Sequence, residues 1–309
     1  MLSLSTRIQL LGEGRKVKRV AHESKPAERP FVDIAIPCLP YQSSKWWPKI
    51  MSLILSEERY GKVQINKITA VSSALVDSNK NHVISVGKKR ENYVDSNRKE
   101  ITADFLGGEA EWIFWIDDDT APPKLAITKL FSSGHDFISG LYYSKAEEHA
   151  PVAMLKADDG GYRAIAGYSP GAIMPVDIVG MGCCLIHRSV YERIMQGHTL
   201  YRRMDKTLFA FPNSQIKDKE PVNSERFDPY IENGILHEPA FPTELEEGEN
   251  YPFYALENDR TEDIIFCELA AHVGIRPWVD TSVTCEHIGL STVTEKDYEA
   301  YQLHKAGLL

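Results

Sequence analysis

Three adjacent carboxylates, Asp117-Asp118-Asp119, follow directly on the run WIFWI at 112–116. A run that apolar reads as a strand buried on both faces, so its end brings the acids out together at the rim of a sheet. Like charges a few ångströms apart repel, and desolvation worsens the repulsion. A divalent cation, which takes hard oxygen ligands, relieves it. Alternation along an extended segment predicts Asp117 and Asp119 on one side and Asp118 on the other. The bland reading is a solvated acidic turn, or an N-cap before Pro122.

Three further groups join this cluster as candidates. His287 follows the strand-like segment Val283–Cys285 and is a second candidate ligand; its weight comes from the aspartates, since a lone His is more often structural. Glu262 and Asp263 open a helical pattern behind Thr261. Compensation of the helix dipole alone, at about 0.3–1 kcal/mol, explains acids there. The functional reading is a carboxylate delivered by a long loop and held still by a helix. Asn97 and Arg98 lie between Val94 and Ile101, which places them on or beside an apolar stripe. A buried Arg needs an anionic or hydrogen-bonding partner. A core carboxylate and a phosphate or nucleobase fit equally.

The elements that must position these residues are legible in outline. FVDIAIP (31–37) reads as a buried strand. Trp46–Tyr60 reads as a helix with Trp47, Ile50, Ile54 and Leu55 as its apolar stripe. Strands are expected at 63–71 and 82–87, and a helix from Arg90 to Leu106 with Val94, Ile101 and Phe105 inward. After WIFWI, the prolines of PPKLAITKLF (122–131) mark a helix start. DFISGLYY (136–143) is another strand. This βαβ order predicts an α/β protein with a mainly parallel sheet, whose ligands bind beyond the carboxyl ends of the strands. Short strands at 151–157, 162–168, 175–180 and 183–188 suggest a mixed or antiparallel addition, followed by a helix at 189–195. Six prolines across 197–260 predict an irregular lid-like segment. A helix at 262–274, closed by Gly274, and a strand pair at 276–289 complete the core.

Composition narrows the class. The 309 residues carry 35 Lys+Arg against 44 Asp+Glu, a net charge of −9, which argues against a broad sequence-independent grip on nucleic acid. Residues 1–30 hold a local excess of Arg and Lys and read as a basic extension; 291–309 read as a tail. No apolar run reaches the roughly 20 residues of a membrane span, and the opening stretch is too short in apolar residues for a secretory signal. Five scattered cysteines with no C-x-x-C suggest a reducing, cytoplasmic setting.

In order, the strand ending in Pro37, the Asn97-Arg98 helix, WIFWIDDDT, DFISGLYYSK, VDIVGMGCCLIHRSVYERI and TEDIIFCELAAHVGIRPWVDTSVTCEHIG resemble GT-A fold glycosyltransferases, in particular the family 2-like and phage-encoded members. The resemblance spans 31–195 and 261–290. It implies a Rossmann-like α/β/α sandwich with a mixed, mainly parallel central sheet, and one catalytic domain over 31–290. It implies a nucleoside-diphosphate-sugar donor (a UDP-sugar by default), and Mn²⁺ or Mg²⁺ held by Asp117, Asp119 and His287. Asp117 would bind the ribose or the cation, and Asp119 would be the direct ligand. Asp263 would be the general base of an inverting reaction, with Glu262 beside it. Pro37, Cys38, Tyr41, Asn97, Arg98, Asp117 and Asp118 would line the nucleotide site, and Gly180 and Gly182 would admit the donor sugar. The acceptor would be a hydroxyl on a glycan, a protein, a small molecule or modified DNA. The family more often has Arg-Asn where this chain has Asn97-Arg98. Other readings are a metal-dependent nucleotidyltransferase, disfavoured because PCLPYQSSKWW has no glycine for a phosphate loop, a two-metal nuclease or phosphatase, and a non-catalytic sugar-binding protein.

Overall fold

The computed structural model describes residues 29–37, 45–71, 93–146, 148–203, 205–216, 230–232, 235–237, 240–255, 260–289, 292–306 and 308. The strand expected at 82–87, nearly all of the basic extension, and Cys38 and Tyr41 lie outside the described residues.

The first half runs β1 (Phe31–Pro37), α1 (Trp46–Tyr60), β2 (Gln64–Val71), α2 (Tyr93–Gly107), β3 (Trp112–Ile116), β4 (Thr120–Ala121), α3 (Ala126–Ser132) and β5 (Phe137–Leu141). Short elements follow: β6 (Ala153–Lys156), β7 (Tyr162–Ala164), β8 (Ile173–Pro175), β9 (Ile178–Val179), β10 (Cys183–His187) and α4 (Arg188–Gly197). Then come β11 (His198–Arg203), β12 (Leu208–Pro212), α5 (Asn213–Ile216), β13 (Tyr230–Glu232), β14 (Ile235–His237) and β15 (Ala240–Pro242). The chain continues through α6 (Glu262–His272), β16 (Trp278–Thr284), β17 (Glu286–Ile288), β18 (Thr292–Val293) and α7 (Glu295–Lys305).

The central sheet has seven strands in the order β2-β1-β3-β10-β5-β16-β8. β1 pairs in parallel with β2 and β3, and β5 in parallel with β16. β10 runs antiparallel between β3 and β5, and β8 antiparallel to β16. β2, β1, β3, β5 and β16 therefore share one direction, and the class is mixed α/β. The period of two along β3 explains its composition. Ile113 and Trp115 enter the apolar layer with Phe105 of α2 and Phe266 of α6. Trp112, Phe114 and Ile116 enter the opposite layer with Trp46 and Ile50 of α1 and Ile127 of α3. Truncating a buried side chain such as Trp115 to Ala costs about 3–5 kcal/mol. Arg188 locks the end of α2 by donating to the carbonyls of Phe105, Leu106, Gly108 and Ala110.

Several expectations need correction. CCLIHR forms the antiparallel strand expected, but inside the main sheet and not as an addition to it: β10 lies between β3 and β5, where Cys183 to Ile186 are wholly buried. The described parts of 197–260 are not irregular. They form a three-stranded sheet, β12-β11-β15, and a β13–β14 hairpin, with Pro212 and Pro242 closing strands instead of interrupting them. Tyr251, Phe253 and Tyr254 belong to the main core, so there the packing reading of the loop aromatics holds. The helix after the aspartates begins at Ala126, past the prolines, because Leu125 adopts a left-handed φ of 58°. On α1 it is Trp46, Ile50, Leu53 and Ile54 that face inward, while Trp47 and Leu55 are exposed. The expected tail carries β18 and α7, whose start is fixed by a reciprocal Thr294–Asp297 capping box.

Candidate active site

β3 ends at Ile116, and the aspartates leave the sheet at its carboxyl end. They do not continue extended. The Thr120 N–H donates to the Asp117 carbonyl at 3.0 Å, closing a tight turn. The buried Trp46 indole donates to the carbonyls of both Asp117 (3.2 Å) and Thr120 (2.8 Å), pinning the turn from α1. β4 then pairs antiparallel with β17, setting His287 opposite Thr120, and the Ile288 N–H donates to the Asp119 carbonyl at 2.6 Å. The turn overrides the alternation expected of a strand, so Asp117 and Asp119 go to different partners.

Asp119 meets His287. Its Oδ2 stands 3.3 Å from His287 Nε2 and 2.6 Å from Lys145 Nζ. His287 Nδ1 lies 2.7 Å from the Tyr143 carbonyl oxygen, which can only accept, so Nδ1 carries the hydrogen. Nε2 faces Asp119, donating to it when the ring is protonated and open to a cation only when the ring is neutral. This is the usual way a ligating imidazole is oriented. Asp119 and His287, 3.3 Å apart, are the two side chains here that would hold a cation. Among the described residues no group of three or more His, Cys, Asp or Glu is placed to hold a metal ion. A cation here would draw its other ligands from water and substrate oxygens, as Mg²⁺ commonly does. Against burial, which raises it, His287 and Lys145 hold the Asp119 carboxyl down to about 2.

Asp117 instead faces Arg98, which α2 buries to 1% exposure. Arg98 Nη2 donates to Asp117 Oδ1 at 2.7 Å and lies 4.0 Å from Asp263 Oδ1, while its Nε lies 3.6 Å from Glu262 Oε1. The guanidinium also lies over the Trp115 ring, 5.2 Å from the centroid. Of the two partners left open by the sequence, the core carboxylate is the one found. α6 supplies Glu262 and Asp263 in its first turn, where the helix dipole favours negative charge. Thr261 sits at the cap position without a side-chain cap bond. Three carboxyls around one guanidinium are over-charged. Burial first, then the charge of Glu262, push the Asp263 carboxyl well above the ordinary range, with Arg98 pulling the other way. Burial also raises Asp117 against the pull of Arg98. Asp263 Oδ1 and Arg98 Nε and Nη1 are buried and have no hydrogen-bond partner.

The remaining candidates have local reasons for their positions. A Cβ on Gly182 would stand 2.7 Å from Thr120 Oγ1 and 3.1 Å from Asp117 Oδ2, so this glycine lets β10 approach the aspartate turn. A Cβ on Gly180 would collide with the Tyr142 hydroxyl, which in turn accepts from the Gly182 N–H at 3.2 Å. Both glycines thus serve the packing of Tyr142 behind the site. Pro37 ends β1 in a buried position, Asn97 is buried beside Arg98, and Asp118 lies in the turn between its two neighbours. A separate hollow of about 200 Å³, lined by Lys49, Ser52, Pro122, Lys124, Thr284 and Glu286 among others, adjoins the β4–β17 pair and takes none of the candidate residues into its wall.

Sequence reasoning missed three contributors: Trp46, Lys145 and the Tyr143 carbonyl. Trp46 is one of two adjacent tryptophans at a helix start, a faint signal that a polar indole edge has a partner to find. Nothing in the spacing marks Lys145, and a backbone carbonyl has no sequence signature at all.

Among the described residues no helix is long and apolar enough to cross a membrane. No protein-family model matches the sequence, and no curated protein matches it. Among solved structures, the crystal structure of A197 from STIV is similar over 84% of this chain and 86% of that chain, with 14% identity and a TM-score of 0.40. At that level the likeness bears on neither the activity nor the roles of these residues.

Proposed function

We propose that the chain is a metal-dependent glycosyltransferase of the GT-A type, moving a sugar from a nucleoside-diphosphate donor to a hydroxyl acceptor with inversion. The observation that carries the reading is the half-buried Asp263 carboxyl, raised in pKa and with its buried Oδ1 lacking a hydrogen bond. It shares the Arg98 guanidinium with Asp117, which heads the turn bearing Asp119 and the His287 edge. Asp119 and His287 would hold Mn²⁺ or Mg²⁺, which when bound supplies Lewis-acid neutralisation of a departing diphosphate.

The chain's own residues do the rest. Asp263, when ionised, accepts the proton of the acceptor hydroxyl through its carboxylate. Its raised pKa makes it a stronger base than an exposed carboxylate, and general-base work of this kind contributes about 10²–10⁴-fold. Arg98 opposes that rise and so keeps Asp263 within reach of ionisation. Glu262, largely buried beside it, orients the acceptor or the base. Asp117 is fixed through Oδ1 and keeps Oδ2 for a ribose hydroxyl. Buried preorganised charges of this kind need no reorganisation as charge develops.

The test is a thermal-shift screen of nucleoside diphosphates and their sugars, with and without Mn²⁺, on wild type and Asp119→Ala. Ligand that binds only the folded state raises the melting temperature. The reading expects a Mn²⁺-dependent shift in wild type that is absent in the folded variant. An equal shift in both removes the metal role of Asp119.

A further inference from the structure

We propose that the outer face of α1 and α3 docks on an anionic lipid surface, with Trp47, Met51 and Leu55 entering the interface and the flanking lysines and arginines meeting the headgroups. The inference stands apart from the activity proposed above and uses none of its site residues.

α1 is apolar on two sides. Trp46, Ile50, Leu53 and Ile54 form its buried inner stripe. Trp47, Met51 and Leu55 recur every four residues on the outside, where they are 44%, 46% and 58% exposed. Single exposed apolar residues are ordinary, whereas an aligned row marks a surface that meets something other than water. The edge strand β2 adds the exposed Ile68 on the face of the sheet that α1 covers, since its register partner Ile34 lies in the α1 layer. Tyr60 closes the helix, exposed, with the Arg59 guanidinium 5.2 Å from its ring centroid. Trp, Met, Leu and Tyr beside basic residues are what a helix lying in a membrane interface presents.

The charge of this face is opposite in sign to that of the chain. α3 packs beside α1: the Leu125 N–H donates to Ser56 Oγ and the Thr128 N–H to Glu57 Oε1, each at 3.1 Å. Residues 45–62 and 122–132 hold the two helices and their ends. They carry six Lys and Arg against Glu57 and Glu58, and Glu57 is buried. Of the six, Lys49 is engaged by Glu286. The whole chain carries −9. A positive face on so acidic a protein selects an anionic partner and turns the acidic remainder away from it. The chain also enters the fold here, since Arg29 Nη1 donates to the Gly61 carbonyl at 3.1 Å, just past the end of α1. Over the preceding residues 1–28, Lys and Arg outnumber Glu by six to three. Each Lys or Arg held near an anionic bilayer is worth about fivefold in partitioning.

A lipid surface fits this face better than a macromolecule does. A row of three side chains on one convex helix falls far short of the about 800 Å² per partner of a stable protein interface. A bilayer takes in the apolar face of a helix to a depth of about 5–10 Å and asks for no matching groove. A nucleic-acid duplex would use the positive charge and leave Trp47, Met51 and Leu55 in water. The Trp47 ring meets the Trp46 ring edge-on at 4.9 Å, and Trp46 holds the aspartate turn, so docking through Trp47 sets that turn close to the surface.

The experiment pellets the full chain with vesicles of phosphatidylcholine alone and of phosphatidylcholine with phosphatidylserine at about 3:1, at low and at high salt. It compares wild type with the triple variant Trp47→Ser/Met51→Ser/Leu55→Ser and with the quadruple variant Arg59→Gln/Lys62→Gln/Lys124→Gln/Lys129→Gln. Thermal unfolding checks that each folds, and Trp47→Ser alone repeats the test should the triple variant not. Wild type should pellet with the mixed vesicles and not with the neutral ones, and high salt should release it. The triple variant should partition about tenfold or more weakly, and the quadruple variant at least about a hundredfold more weakly. Wild type that stays in solution with both vesicles, or pellets equally with both, overturns the proposal. So do variants that both pellet like wild type. Wild type that binds a DNA duplex and no vesicle gives the positive face to a polyanion instead. A triple variant that loses self-association in light scattering and pellets unchanged gives the apolar row to a second copy of the chain.

Discussion

Replacing Arg98 with methionine isolates the electrostatic centre of the site. The side chain is 1% exposed and has Asp117 at 2.7 Å, Glu262 at 3.6 Å and Asp263 at 4.0 Å. Methionine keeps much of the apolar stem beneath the Trp115 ring and deletes the charge. Breaking a buried ion pair on one side costs about 3–5 kcal/mol. The loss should depend on pH, because a proton can take over from the guanidinium. Arg98 lowers both Asp117 and Asp263, so without it both rise further above their unfolded values. A carboxyl raised in the folded state destabilises above its unfolded pKa, and that penalty grows with pH until the folded pKa is passed. The gap between R98M and wild type should therefore be widest at pH 7 and narrow towards pH 5, by up to about 2.7 kcal/mol for one carboxyl responding over two units. Urea unfolding at the two pH values reads both quantities. Arg98→Met combined with Asp117→Asn should recover part of the loss. A deficit under about 1 kcal/mol at pH 7, or one identical at both pH values, refutes the idea that this guanidinium balances the buried carboxyls.

Asp263→Asn should lower kcat by about 10²–10⁴-fold while Mn²⁺-dependent nucleotide binding is kept; unchanged turnover removes Asp263 from the chemistry. In wild type the acid limb of kcat/KM should lie above the ordinary carboxylate range, since Asp263 acts ionised and its pKa is raised. Trp46→Phe deletes the indole donor to the Asp117 and Thr120 carbonyls. It should cost about 1–2 kcal/mol by thermal unfolding and weaken Mn²⁺ binding; a variant indistinguishable in both would show that the turn stands without it. Asp119, depressed to about 2, contributes stability that is present above its unfolded pKa and lost as pH falls through the folded value. At a side chain 40% exposed this amounts to about 1 kcal/mol after screening. Wild type and Asp119→Asn should differ near pH 6 and converge by about pH 2 in acid unfolding.

Why some of the site was legible and some was not follows from the physics of each residue. WIFWI betrays β3 because only a strand covered on both faces tolerates five consecutive apolar residues, and its end therefore exposes Asp117. Arg98 was readable as buried because a helix stripe leaves it no other place. Its partner was not readable, since a guanidinium matches a carboxylate and a phosphate equally well. The parting of Asp117 from Asp119 depends on the backbone turn held by Trp46, a contact between residues 71 and 74 positions apart that no local pattern encodes. The antiparallel direction of β10 was legible but its place was not, because CCLI is equally apt for an added strand and for the middle of a sheet. β12 and β15 were hidden by Pro212 and Pro242, which turn out to terminate them.

The most direct test of the account is release of nucleoside diphosphate from a panel of nucleotide-sugars by the full chain, measured with Mn²⁺ and again with a chelator. Slow donor cleavage in Mn²⁺ that ceases on chelation is the expected result. No release from any donor, or equal release without the ion, contradicts the assignment of this carboxylate and imidazole cluster to metal-assisted sugar transfer.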